Sequence, residues 1–373
     1  MKKVDLSDVC FLVHVRIDTV ARQQNLEIIQ EFYRKYADNT QFIFIEDDAE
    51  QKITESITLT ENDKYIFHEN DGIYVRPKCY NIASKETDRP VIVSLDTDII
   101  IHPKYMKMTA DRLIKEDNLA ICYPYNGLFL NLYEHTKEEF METLDYDDLT
   151  KYKPESKQVN YSNGKVFVGH YDSVGGCVFF NHDRYNKFGG YNPMFKGWGY
   201  EDNEITIRTR ALGYDISRVM DEDAILFHLP HDGPGQSPKA THEFYQSNAQ
   251  LSVMTETMTK EQIALRAHNY TKRINALNDS IVSLTDSITN YQPDHVLVLG
   301  IMLAEYTEKL NDLDVTKEYM VSFEGGGWNT IYATNDEDAL TFAKAEHDGE
   351  HTIVSSVRLS TPSGMEAALR SFY

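Results

Sequence analysis

The sequence predicts an α/β fold, a mostly parallel sheet flanked by helices, followed by a helical segment and a small α+β module. Three observations lead there. Short apolar runs at Val9–Val15, Gln41–Ile45 and Val91–Val93 alternate with stretches of helical periodicity, the pattern of parallel strands joined by crossover helices. Acids gather just after such runs, at Glu46, Asp47 and Asp48 and again at Asp96 and Asp98. Those are the strand ends where open parallel sheets bind their ligands. Beyond residue 240 the pattern turns helical and then becomes a short strand-rich tail. The domains expected are therefore 1–240, 241–315 and 316–373.

The first strand, VCFLVHV, is followed by a helix in which Leu26, Ile29 and Tyr33 recur on one face. QFIFI is the second strand, Tyr65–His68 a short third, and NDGIYVRPKCYNIAS turns into a helix. The next strand carries Val91, Ile92 and Val93 and ends in LDTD. Its β-branched residues mark full burial. Asp96 and Asp98 just past it are either a solvated turn or two carboxylates neutralised by a divalent cation through oxygen. Further on, Gly175-Gly176 before CVFF suggests a strand whose start lets a ligand approach the backbone. Glu201 and Asp202 open a helix after Gly197-Trp198-Gly199. A carboxylate there complements the helix dipole, which accounts equally well for Glu201. Asp202 beside the tryptophan loop is better read as a base next to a sugar stacked on Trp198. His228 and His231, at i and i+3 after an apolar strand, are either structural or metal ligands.

The composition narrows the function classes. The chain has 373 residues, 59 acids against 37 Lys and Arg, and a net charge of −22. Such a chain repels a phosphate backbone, and no basic stripe overcomes this, so generic nucleic-acid or anionic-membrane binding is not expected. The cysteines, Cys10, Cys79, Cys122 and Cys177, show no CxxC pairing and read as buried or free thiols of a reducing compartment. No run approaches the ~20 apolar residues of a membrane span. The opening residues do not form a secretory signal. A soluble, cytoplasmic protein is the expectation.

Taken together, these motifs resemble nucleotide-sugar glycosyltransferases of the GT-A fold. The beta-1,4-galactosyltransferase group and the related bacterial and viral galactosyl- and N-acetylgalactosaminyltransferase-like domains are the nearest in pattern. Matching elements run in order across residues 9–238. HVRID resembles the family's first-strand motif, which implies Arg16 against the nucleotide base, and IEDD implies Asp47 at the uridine edge. VRPKCYN resembles the family's Arg and Asn pair, here Arg76 and Asn81, with Arg76 facing the donor diphosphate. LDTD is the metal motif, VGGCVFFN the Gly-Gly strand near the donor sugar, and GWGYEDNE is similar to GWGGEDDD. The last match implies Trp198 as the sugar-binding tryptophan and Asp202 as the catalytic base, beside Glu201. Counting onward, His231 falls at the family's metal-binding histidine and His228 where some members carry methionine. The implied metal set is Asp98, His228 and His231, with Asp96 assisting through water or ribose.

Tyr200 and Asn203 depart from the family pattern where the acceptor is read, so acceptor choice does not carry over. No counterpart of the Golgi-type anchor is expected. The resemblance implies a metal-dependent inverting transfer of a hexose or N-acetylhexosamine, galactose-type, from a UDP-sugar to an acceptor hydroxyl, with Mn2+ or Mg2+ as cofactor. Histidine ligands favour Mn2+. A non-catalytic sugar-binding protein on the same scaffold is one alternative. A nucleotidyltransferase is another, but HVRIDTVARQ lacks its Gly-rich basic loop.

Downstream, Ile274, Leu277, Ile281, Leu284 and Ile288 form an a/d seam about two heptads long. The 270–290 helix either packs on a neighbouring helix or supports self-association. The tail predicts a hairpin from Tyr319–Phe323 and Thr330–Ala333 around GGGW, a helix capped by Asn335 with Asp338, and a strand at Thr352–Val357. GGGW reads as a turn, since no Lys-Ser/Thr follows.

Overall fold

The alternation of buried strand and amphipathic helix builds one seven-stranded sheet. The computed structural model describes residues 3–154, 163–231, 244–257, 317–324, 328–333 and 354–359, with a few isolated positions besides. The chain opens with β1 (Val4–Asp5), β2 (Val9–Val15), α1 (Val20–Tyr36), β3 (Ala37–Asp38), β4 (Gln41–Asp48) and β5 (Lys64–Glu69). There follow α2 (Arg76–Ser84), β6 (Val91–Leu95), β7 (Ile99–Ile100), α3 (Pro103–Lys115), β8 (Leu119–Tyr123) and β9 (Phe129–Leu132). Next are α4 (Glu134–Thr143), α5 (Tyr146–Thr150), β10 (Val166–His170), β11 (Cys177–Asn181) and α6 (His182–Lys187). The unit closes with α7 (Glu201–Ala211), β12 (Asp215–Arg218), β13 (Leu226–His228) and α8 (Tyr245–Thr257).

The main sheet has the order β12-β8-β11-β6-β2-β4-β5. Strands β2, β4, β5 and β6 pair in parallel, as do β8 and β12. Only β11 is reversed, antiparallel to both β6 and β8. A second sheet, β10-β9-β13-β7, stands beside it. Helix α1 starts at the cap Thr19, whose side chain accepts from the Arg22 amide at 3.3 Å. It buries Leu26, Ile29, Phe32 and Tyr33 completely. Burying each such side chain is worth about 1.5–3 kcal/mol. Phe11 stacks on Phe42 with ring centroids 5.1 Å apart, joining β2 to β4.

One strand differs from its expected form. β4 does not stop before its acids but runs through Glu46, Asp47 and Asp48, all buried. Each acid has a partner that pays for its burial: Glu46 accepts from the Lys52 amide at 2.8 Å and Tyr65 Oη at 2.5 Å, and Asp48 from Lys52 Nζ at 2.9 Å. All four cysteines are buried and none forms a disulfide. Among the described residues no helix is long and apolar enough to cross a membrane.

By its internal contacts the chain divides into Met1–Glu256 and Thr257–Tyr373, so the first unit runs past residue 240 and takes in all of α8 but its last residue. In the second unit β14 (Lys317–Phe323) pairs antiparallel with β15 (Trp328–Ala333) and β16 (Val354–Leu359). The hairpin forms with longer strands than the sequence predicts, and Trp328 opens β15. The 270–290 helix and the Asn335 cap lie outside the described residues.

Candidate active site

A cavity of about 570 Å3 opens where β2 and β6 end. The segment Asp96–Asp98 after β6, Gly175-Gly176 before β11, the tryptophan loop before α7, His228 at the end of β13 and His231 just past it all contribute to its wall. Because β11 is reversed, it meets this edge by its start. That is why the glycine pair precedes its strand. The Gly176 carbonyl accepts from the Asp96 amide at 3.0 Å, and Gly176 has φ +80°, which an L side chain rarely adopts.

One corner holds Asp98, His228 and His231. The register of β13 on β7 sets His228 against Ile99, and the Leu229 amide donates to the Asp98 carbonyl at 2.8 Å. Asp98 Oδ2 lies 3.5 Å from His228 Nε2 and 3.2 Å from His231 Nε2. Burial raises the Asp98 pKa, but the two imidazoles outweigh it and hold the carboxyl well below the usual range. The three donor atoms lie within 4.8 Å of one another. One carboxylate and two imidazoles fit a divalent first-row metal such as Mn2+. Asp96 stands outside this set, because Arg76 and Tyr80 hold its carboxylate.

The opposite corner is built on Arg76, the first residue of α2. Its guanidinium reaches Asp96 Oδ1 at 2.7 Å, Asp202 Oδ2 at 2.9 Å and Glu201 Oε1. The Gly197 amide donates to the Tyr74 carbonyl at 3.0 Å and ties the tryptophan loop to the start of α2. One cation thus serves three carboxylates. Burial pushes the Asp202 pKa up to about 7; Arg76 opposes the rise, and Glu201 and Asp96 add to it. Asp96 is raised for the same reason, with Arg76 opposing and Asp98 adding. At Gly175 a Cβ would come within 2.6 Å of Asp202 Oδ2, so only glycine leaves room for that carboxylate.

Aromatic rings close the third side. Trp198 stacks on Tyr245 of α8, centroids 6.0 Å apart at 13°. Tyr200 sits at φ +70°, a conformation suited to the glycine it replaces in the motif. The cost for a non-glycine residue is about 1–2 kcal/mol. Tyr200 shares a 2.9 Å hydrogen bond with Tyr245 Oη, and their centroids are 5.1 Å apart.

The structure brings Asp96, Asp98, Arg76, Gly175, Gly176, Trp198, Glu201, Asp202, His228 and His231 to this one cavity, and Arg16 as well. Asp47 is not on its wall. It is fully buried, held by His68 Nδ1 and Asn70 Nδ2 at 2.8 Å and by the Val75 amide at 3.1 Å. Its expected place at the nucleotide edge gives way to these interior partners. Asn81 anchors the site instead of lining it. It holds Tyr191 through Nδ2 to the Tyr191 carbonyl at 2.8 Å and the Tyr191 amide to Oδ1 at 2.9 Å. Tyr191 Oη then donates to Asp202 Oδ1 at 3.1 Å, and Tyr80 Oη to Asp96 at 3.2 Å. Tyr191, Tyr80 and Tyr245 were not singled out in the sequence, since nothing local distinguishes them among 24 tyrosines.

Residues 161–232, which carry Gly175-Gly176, the tryptophan loop, Asp202 and both histidines, match the family model described as the N-terminal domain of galactosyltransferase. Among solved structures, this chain is similar to the catalytic domain of Drosophila beta1,4-galactosyltransferase 7 in complex with xylobiose. That match has 14% identity and TM-score 0.36, covering 69% of this chain and 82% of the other. A mutant of the Drosophila enzyme, in complex with manganese, UDP-Gal and xylobiose, matches at 13% identity and TM-score 0.34, covering 65% and 73%. Glucosyl-3-phosphoglycerate synthase from Mycobacterium tuberculosis, in complex with Mn2+, UDP-glucose and phosphoglyceric acid, matches at 12% identity and TM-score 0.39. It covers 66% of this chain and 78% of its own. No curated protein matches the sequence.

Proposed function

We propose that this protein is a metal-dependent, inverting glycosyltransferase that moves a hexose or N-acetylhexosamine from a UDP-sugar to an acceptor hydroxyl. The observation that carries the reading is the pairing, across one cavity, of the Asp98–His228–His231 corner with Asp202, an aspartate raised to about 7. Galactose-type chemistry is the donor reading, supported by the family match over residues 161–232.

Asp98, His228 and His231 would hold the cation, which supplies Lewis-acid stabilisation of the departing diphosphate. Arg76 adds positive charge on the same side and orients Asp96, Glu201 and Asp202. Trp198 presents an apolar face to the sugar. Asp202 takes the proton of the acceptor hydroxyl as that oxygen bonds to the anomeric carbon. The bond from the anomeric carbon to the diphosphate oxygen breaks, and its electron pair leaves with the nucleoside diphosphate. A single base used in one displacement gives inversion.

The test is a panel of nucleotide sugars, read by thermal shift and by nucleoside diphosphate release, with Mn2+ and with EDTA. One UDP-sugar should stabilise the protein and be slowly hydrolysed only with metal. No response to any donor in the presence of Mn2+ overturns the reading in favour of a protein that only binds sugar.

A further inference from the structure

A second cluster of metal-type ligands lies away from the Asp98 corner. His14 is near the end of β2, Asp47 near the end of β4, and Cys79 inside α2, which covers both strands. Parallel pairing of β2 with β4 brings the first two together, with His14 level with Ile45. The His14 side chain is 8% exposed, Asp47 is 0% exposed and Cys79 is fully buried. The three potential donor atoms lie within 4.8 Å of one another.

His14 Nε2 is a buried nitrogen without a hydrogen bond, 3.5 Å from Asp47 Oδ2. Buried polar atoms normally have a partner, so an orphaned imidazole nitrogen aimed at a carboxylate and a thiol calls for one. The surroundings already orient the carboxylate. His68 Nδ1 and Asn70 Nδ2 sit 2.8 Å from its Oδ1, and the Val75 amide donates to Oδ2. Metal sites use such outer contacts to fix their ligands. His14 also contributes to the wall of the active-site cavity.

We propose that His14 Nε2, Asp47 Oδ2 and Cys79 Sγ form a second cation site, selective for a thiophilic divalent ion of the zinc class. The sulfur ligand sets the selectivity. Thiolate with imidazole suits Zn2+, while Mg2+, Ca2+ and Mn2+ prefer oxygen. The Asp98 corner has no sulfur, so the two sites differ in kind. Binding releases the Cys79 thiol proton to solvent and leaves the thiolate on the metal. Such an ion would pin α2, which carries Arg76 into the active-site cavity, to the ends of β2 and β4. The proposal stands apart from the transferase reading.

The test is Co2+ titration of the full chain, stripped with chelator and kept in a thiol-free reductant, with Zn2+ competition. The wild type should develop an intense thiolate-to-cobalt charge-transfer band that Zn2+ abolishes. Cys79→Ala should lose that band, and a His228→Ala/His231→Ala double variant should keep it. Absence of the band in the wild type overturns the proposal without requiring any variant to fold. So does a band that survives in Cys79→Ala.

Discussion

Asp98 is a buried aspartate and Asp202 a half-buried one on the same cavity, and their carboxyls shift in opposite directions. Asp98 has two imidazoles to itself and is held as a carboxylate. Asp202 shares a single guanidinium with Asp96 and Glu201 and is pushed up to about 7. Burial acts on both, so the ratio of positive to negative groups decides the outcome. The first arrangement keeps a permanent negative charge for a cation. The second yields a group that exchanges a proton near neutral pH.

The contrast breaks most sharply at Asp202→Asn. The substitution keeps the shape but removes the proton acceptor, and transfer should fall by about 10²–10⁴-fold while donor binding survives. Parallel measurement of single-turnover rate and donor affinity checks this, and near-normal turnover sinks the role. Asp98→Asn should act on the other corner. Outer-shell partners alone are worth about 10–100-fold in metal affinity, and loss of a charged ligand should exceed the lower end of that range. A Mn2+ titration of donor stabilisation would then shift to higher concentration, and an unchanged midpoint would place the metal elsewhere. The smallest effect is on pH. The base works deprotonated, so rate should rise through about pH 7 and be roughly tenfold lower at pH 6 than on the plateau. A profile flat through the neutral range would remove Asp202 as the titrating group.

Much of this contrast was legible in the sequence, because its parts sit in contiguous motifs. The β-branched run before Asp96 and Asp98 marks a buried strand, and Trp198 through Asp202 and the His228–His231 spacing are equally local. What stayed hidden depends on distant partners. Tyr191 and Tyr80 matter through single hydroxyl contacts to Asp202 and Asp96, and Tyr245 through a stack on Trp198. Asp47 looks like a strand-end ligand from the sequence. It is interior because β5 and α2 bring His68 and the Val75 amide to it. Strand direction was equally hidden, since CVFFN reads the same whichever way it enters the sheet.

The reversed strand β11 also sets an order of events during synthesis. It lies between β6 and β8, so those two strands have no shared neighbour until Asn181 has left the ribosome. A nascent chain ending before Cys177 holds β2, β4, β5 and β6 with the apolar edge of β6 unpaired, an invitation to association with other chains. Closing the sheet across this long separation is slow compared with local folding. Glu201, Asp202, His228 and His231 emerge later still. The nascent chain therefore holds the interior strands of the main sheet before Asp202 and the two histidines, with only the edge strand β12 of that sheet still to follow α7. A chain truncated before Cys177 leaves the β6 edge open.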